Sequence, residues 1–298
     1  MVHYAYYAFA SAVCLASLSL ILKALIRYRI CDSGLVTWGM GASTGLVAAV
    51  VWLVVRPPFP SQAVWPLLAV VAAVQFGLWA LNRALQEGDL SIVVPLLSLR
   101  IPLVAAMAVV FLGETHGLGI YSAVLLSCVA VALFGMGRPL KAQGGHGAHP
   151  AVPIGFACAG AAAFALSDPF AKLVIDRSGV TDLLIWSLML RGGFCAVMLV
   201  RPTYRQYRVA VRDWGMFLLS GGVTVAGLGC LYKAFLLADG VTLVNVILGT
   251  RGLFGLLMGA VLGRVLRVPL EKQPVRIYVL RVVASGLLFA ALLIVLLG

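Results

Sequence analysis

The chain consists of apolar runs of about 20 residues that recur almost from end to end. At a rise of about 1.5 Å per residue, a helix of that length crosses the hydrocarbon core of a bilayer. Of the 298 residues, 62% are hydrophobic and 11% are charged. Soluble domains are closer to half apolar and a quarter charged, so a soluble core of this size could not bury so much apolar surface. We therefore predict an all-α membrane protein with ten transmembrane helices. The predicted helices are 4–26, 33–55, 64–86, 90–112, 117–136, 152–174, 180–200, 214–237, 241–263 and 277–297.

An internal repeat divides the chain into two halves. At an offset of 150, residues 77–113 align without gaps to residues 227–263, and a looser offset of 149 aligns Lys23 with Lys172. The identities include Gly and Asp positions, which chance matches between apolar segments do not explain. The predicted division is a first five-helix repeat (1–137), a Gly-rich linker (138–150) and a second five-helix repeat (151–298).

Five helices per half is an odd number, so the second half must enter the membrane in the opposite sense to the first. Inverted repeats of this kind are a recurring plan of transporters, with the solute bound near the midplane between the two halves. This arrangement predicts a secondary transporter that moves a small metabolite by alternating access.

One segment carries a family resemblance. The stretch LNRALQEGDLSIVVPLLSLRIPLVAAMAVVFLGE (81–114) has a basic helix end, a tight turn, a Ser-rich helix start, Pro102 in mid-helix and a closing Leu-Gly-Glu. It resembles the third and fourth helices of EamA-type members of the drug/metabolite transporter superfamily, and the repeat extends the resemblance over the chain. The resemblance implies a ten-helix permease for small metabolites, with a cavity lined mainly by helices 1, 3, 4, 6, 8 and 9.

Four charged residues fall well inside the apolar spans: Arg100, Asp168, Arg191 and Arg251. A charge at the centre of a membrane helix costs about 2.5–3.5 kcal/mol on insertion scales, which makes each residue a functional candidate. Arg100 and Arg251 lie at nearly equivalent repeat positions, and one Asp cannot neutralise both. We predict that they bind substrate in an electropositive cavity suited to an anionic or zwitterionic solute.

A structural role for these arginines is the alternative, since Arg can bond carbonyls freed by proline or lock the bundle through Asp168. For Arg191 we favour that role, because its helix is peripheral in the family. Asp168 is a candidate for proton coupling. If it pairs with Arg251, the cavity keeps one net positive charge and suits a zwitterion.

Several uncharged polar or aromatic residues lie at useful depth. Gln75, Trp79, Asn82 and Asn245 are candidate substrate-binding residues, and Thr224 is a further polar position. Each polar side chain among them could equally form a hydrogen bond between helices.

The net charge of +12 does not indicate a nucleic-acid partner, because the Lys and Arg residues sit mainly between the apolar runs. No catalytic, cofactor or metal-binding motif is present, so we expect neither an enzyme nor a cofactor. His146 and His149 lack a third ligand, and the six Cys show no paired spacing. Two alternatives stay open: a flippase for a lipid intermediate and, less favoured, a membrane enzyme acting on lipid phosphates.

The basic residues also bear on orientation in the inner membrane, where we place the chain. Of the 22 Lys and Arg, fifteen lie near the odd-numbered connections between helices and four near the even-numbered ones. The positive-inside rule then places both termini outside. The family's usual arrangement places both termini inside. A homodimer is also possible.

Overall fold

The computed structural model describes ten α-helices. The described residues are 3–26, 32–88, 93, 96–115, 117–136, 151–201, 211–238, 240–251, 254–255, 258 and 275–297, and they contain no strand. In chain order the helices are α1 (His3–Leu25), α2 (Ser33–Val55), α3 (Val64–Glu87), α4 (Arg100–Leu112), α5 (Leu118–Met136), α6 (Ala151–Ser178), α7 (Val180–Leu199), α8 (Val211–Leu237), α9 (Val241–Leu248) and α10 (Val275–Leu297).

Six of the described segments are long and apolar enough to cross a membrane, namely His3–Leu25, Ser33–Val55, Ser61–Glu87, Ala151–Ser178, Val180–Leu199 and Asp213–Leu237. Shorter apolar stretches occur at Leu97–Leu112, Leu118–Ala130 and Val282–Ala291. The structure therefore agrees with an all-α membrane protein.

The helix ends follow local chemistry. Asp32 caps α2, and its carboxylate accepts a hydrogen bond of 2.7 Å from the Leu35 amide. At the other end Arg56 adopts a left-handed conformation (φ 47°), and two prolines then prevent the helix from continuing.

Two predicted helices differ from the structure. Within the predicted span 90–112, a short 3₁₀ turn at Leu97–Leu99 interrupts the α-helix: Val93 and Leu96 are helical before it, and α4 begins at Arg100 after it. Pro102 follows this turn as the third residue of α4, where a missing N–H costs little. The predicted span 241–263 is α-helical to Leu248, and most of its remainder lies outside the described residues. The linker 138–150, including His146 and His149, also lies outside them.

The helices pack mainly across the two halves of the chain. The most extensive pairs are α3 with α6, α2 with α7, α1 with α8, and α5 with α10; α4 also packs on α6, and α9 on α1. If each helix of the first half is exchanged for its counterpart in the second, every one of these pairs maps onto itself or onto another member of the set.

The backbones of α2 and α7 approach closely where Gly45 meets Gly192. A Cβ added to Gly192 would lie only 2.4 Å from the Gly45 Cα, whereas a Cβ added to the adjacent Gly193 would meet nothing within 4 Å. Gly at these positions lets the two backbones touch.

We therefore expect Gly192→Ala to lower the free energy of unfolding by about 1–3 kcal/mol, the cost of overpacking a filled interface. Gly193→Ala is the matched control, since it makes the same change one residue away and should be neutral or slightly stabilising. SDS-titration unfolding in mixed micelles measures both. Equal stability of the two variants would contradict the close packing.

Candidate functional site

Two helix interruptions, one in each half of the chain, line the same cavity. The 3₁₀ turn at Leu97–Leu99 precedes Arg100, whose amide donates to the carbonyls of Leu97 and Ser98. In the second half, α9 ends at Leu248, and a turn at Gly249–Thr250 precedes Arg251. The two arginines, one residue apart in repeat register, thus both follow a break in a helix.

A central cavity lies beside these breaks, with an empty volume of about 590 Å³ that is partly open to solvent. Its lining comes from helices of both halves. The lining residues are Leu15, Leu18, Ser19, Val74, Leu78, Leu81, Arg100, Phe164, Ser167, Asp168, Arg191, Thr224, Leu228, Leu231, Tyr232 and Arg251. A second cavity of about 350 Å³ adjoins it at Arg100, Phe164 and Arg251 and is also lined by Asn245.

Arg100 and Asp168 form a buried ion pair across α4 and α6. The Arg100 Nε donates to Asp168 Oδ2 at 2.8 Å, and its NH2 donates to Oδ1, so both carboxylate oxygens are engaged. Asp168 is 2% exposed and Arg100 is 8% exposed. The Arg100 guanidinium also lies over the Phe164 ring, 5.8 Å from its centroid. Pairing of Asp168 with Arg251, considered from the sequence, is therefore not what the structure has.

Arg251 remains without a carboxylate partner among the described residues. Its NH2 donates to the Ser19 hydroxyl on α1 at 3.3 Å, and its Nε is buried with no acceptor. A neutral hydroxyl does not balance a guanidinium charge, so this side chain brings uncompensated positive charge to the cavity.

Arg191 on α7 is the least satisfied charged group in the described part of the chain. It is 1% exposed, and none of its three guanidinium nitrogens has a hydrogen-bond acceptor there. We expected Arg191 to lock the bundle, but it lines the cavity, and such locking would need a partner that the described residues do not provide. The cavity thus holds three guanidinium groups and one carboxylate among its described lining residues.

The other predicted residues divide into two groups. Asn245 and Thr224 line the cavities. Gln75, Trp79 and Asn82 lie outside both linings. The Asn82 amide donates to the Thr37 hydroxyl at 2.8 Å, joining α3 to α2.

Gln75 and Trp79 make contacts of their own. Gln75 accepts a hydrogen bond from the Cys195 thiol at 3.4 Å, and Trp79 packs against Phe76 and Phe156. Asn82, Gln75 and Trp79 thus connect helices in this structure. Among the described residues, no group of three His, Cys, Asp or Glu side chains is placed to share a metal ion.

Tyr232 and Ser19 line the cavity but did not stand out in the sequence. Tyr232 on α8 is 3% exposed and lines the cavity near Arg191. It corresponds to Asn82 at the repeat offset of 150, and that correspondence was a signal that could have marked it. Ser19, which accepts from Arg251, gives no comparable signal, since isolated Ser residues are common in membrane helices.

Comparisons with known proteins bear on the fold. A solved structure described as "Crystal structure of protein" is similar to this chain, with a TM-score of 0.68 and 15% sequence identity over 99% of this chain and 96% of that one. It is one of 26 solved chains that match. At this identity the similarity shows a shared fold. No family model matches the sequence, and no curated protein matches it.

Proposed function

We propose that this protein is a secondary transporter of the inner membrane, with ten spans in two inverted five-helix repeats, that moves a small anionic solute by alternating access. We also propose that it belongs to the EamA-type family, because residues 81–114 resemble the third and fourth helices of that family. The observation that carries the transport proposal is the central cavity, in which three arginines, two of them buried, meet one aspartate.

Symmetric packing supports the inverted repeat. The contacts of α3 with α6 and of α8 with α1 are counterparts under exchange of the halves, as are those of α4 with α6 and α9 with α1. Two repeats that pack reciprocally can exchange their conformations, and this exchange would open the central cavity to each side in turn.

Two lysines give the same support at the level of single residues. Lys23 donates to the carbonyl of Leu85 near the end of α3, and Lys172 donates to the carbonyl of Phe235 near the end of α8, at 3.0 Å. Leu85 and Phe235 are 150 residues apart, which is the repeat offset. A cation at the C-terminal end of a helix interacts favourably with the exposed carbonyls, and this contact occurs at equivalent places in both halves.

The charges in the cavity suggest how a solute would be held and coupled. Arg191 and Arg251 offer guanidinium donors to an anion without first breaking an ion pair. Arg100 is held by Asp168, so protonation of that carboxylate would free a third guanidinium for the anion. Proton and anion would then bind together, which makes Asp168 the proposed coupling residue.

The proposal is tested first by ligand-induced stabilisation of the purified protein. A ligand of the folded state raises the melting temperature by mass action. We expect small organic anions to raise it, and plain organic cations and neutral solutes to leave it unchanged. Stabilisation by organic cations alone would contradict an electropositive binding site.

Arg251→Ala should weaken anion binding about tenfold or more, because a hydrogen bond to a charged group contributes about 1.5–3 kcal/mol. The variant should still fold, since Arg251 holds only a neutral hydroxyl. Anion titrations followed by melting temperature measure the effect. Arg177→Ala, which changes an exposed arginine outside the cavity, is the matched control. Anion affinity that is the same in both variants would remove Arg251 from the site.

A further inference from the structure

We infer that the solute is an organic carboxylate with an apolar body, and that Arg191 binds its carboxylate. This inference rests on the proposed function and deepens it, because it names the chemical class of the solute and the residue that anchors it.

Arg191 has unused hydrogen-bonding capacity inside the cavity. All three guanidinium nitrogens lack acceptors among the described residues, although the side chain is 1% exposed. The planar fork of a guanidinium matches the two oxygens of a carboxylate, and the paired hydrogen bonds are stronger than neutral ones. Arg100 is already occupied in this way by Asp168, and Arg251 holds Ser19. Among the three arginines, Arg191 therefore has the most unoccupied donors for a carboxylate.

The cavity around Arg191 is mostly apolar. Aliphatic side chains from α1, α3 and α8 form much of its wall, among them Leu15, Leu18, Leu78, Leu81, Leu228 and Leu231. A hydroxyl-rich or doubly charged solute would place polar groups against these leucines without partners, at a cost of about 1–3 kcal/mol for each group. Transfer of an apolar body from water into this cavity is instead favourable. This wall disfavours phosphate and sugar phosphates.

The ion pair also disfavours an amino acid. An ammonium group would have to share Asp168, the carboxylate among the described lining residues, with Arg100, which already binds both of its oxygens. A carboxylic acid without an amino group matches the open groups better than the zwitterion that the sequence also allowed.

The test measures dissociation constants of the purified full-length protein for a homologous series: acetate, butyrate, hexanoate and 3-phenylpropionate. Affinity should rise about three- to fourfold per added methylene, since burial of each CH₂ contributes about 0.8 kcal/mol. The neutral amide 3-phenylpropionamide, phenylalanine and inorganic phosphate should each bind at least about tenfold more weakly than 3-phenylpropionate.

Two variants test which residue contacts the carboxylate of the ligand and which contacts its apolar body. Arg191→Met should weaken 3-phenylpropionate binding at least about 30-fold, by loss of a buried charge pair, while Arg177→Met, the same change on the exposed surface, should bind as wild type. Leu78→Ala should weaken 3-phenylpropionate several-fold and leave acetate unchanged, because the shortened wall contacts only the apolar body.

The outcomes separate this inference from the proposed function. Tighter binding of phosphate or phenylalanine, an affinity independent of chain length, or wild-type affinity in Arg191→Met would overturn the inference. In those cases the protein still binds anions and the transporter proposal stands. If no anion in the panel binds and none is transported, the proposed function fails together with the inference.

Discussion

Asp168→Asn should lower the free energy of unfolding by about 3–5 kcal/mol, the cost of leaving one partner of a buried ion pair without the other. Asp168 and Arg100 are 2% and 8% exposed, and the carboxylate accepts from two guanidinium nitrogens. Its removal leaves Arg100 as a third uncompensated charge beside Arg191 and Arg251. SDS-titration unfolding of the purified variant gives the value.

Asp176→Asn is the matched control, because it makes the same change on the same helix. Asp176 is half exposed and pairs with Lys172 at 3.1 Å in an i,i+4 arrangement, which contributes well under about 1 kcal/mol. The double variant Arg100→Met/Asp168→Asn should recover most of the lost stability, since removal of both charges leaves no unpaired ion. Equal stability of the two single Asp→Asn variants would show that the ion pair contributes nothing.

Arg191→Met should change stability in the opposite direction and raise the free energy of unfolding by about 2 kcal/mol. The described residues around Arg191 offer its three nitrogens no acceptor, so the ligand-free protein keeps a buried charge unpaired. Methionine fills a similar volume without a charge. An arginine that locks the bundle would give the reverse result, because its loss would break contacts between helices.

Stability without ligand is therefore the measurement that separates the two roles of Arg191. Arg177→Met provides the control for a general effect of methionine, since Arg177 is exposed and its single described hydrogen bond, to the Gln62 carbonyl, is 3.3 Å long. Destabilisation of Arg191→Met by more than about 1 kcal/mol relative to Arg177→Met would contradict a binding role.

Much of the fold was predictable because membrane helices are specified locally. Length and hydropathy placed α2 at the residues where it occurs and α5 within one residue, since both depend on the apolar run and on the turn chemistry that ends it. The offset between Lys23 and Lys172 also predicted a structural equivalence, and both side chains bond the ends of equivalent helices. The break between Leu248 and Arg251 was not predictable from hydropathy, because the apolar run continues through it.

The candidate site was predictable in part. Arg100, Arg251 and Asp168 stood out as charges within apolar runs, and all three line the cavity. Their pairing was not predictable, because it depends on the rotation of α4 and α6 against each other, which the sequence does not display. The same reason applies to Asn82 and Gln75, whose side chains form hydrogen bonds to neighbouring helices and lie outside both cavity linings.

We propose that this cavity carries organic anions across the membrane. The most direct measurement is counterflow in proteoliposomes preloaded with unlabelled 3-phenylpropane-1-sulfonate, an anion that does not cross the bilayer as a neutral acid. External labelled sulfonate should accumulate transiently in wild-type vesicles, about tenfold less in Arg251→Ala vesicles, and as in wild type in Arg177→Ala vesicles. A wild-type time course that coincides with that of protein-free liposomes, for this anion and for the carboxylates that stabilise the protein, would contradict the account.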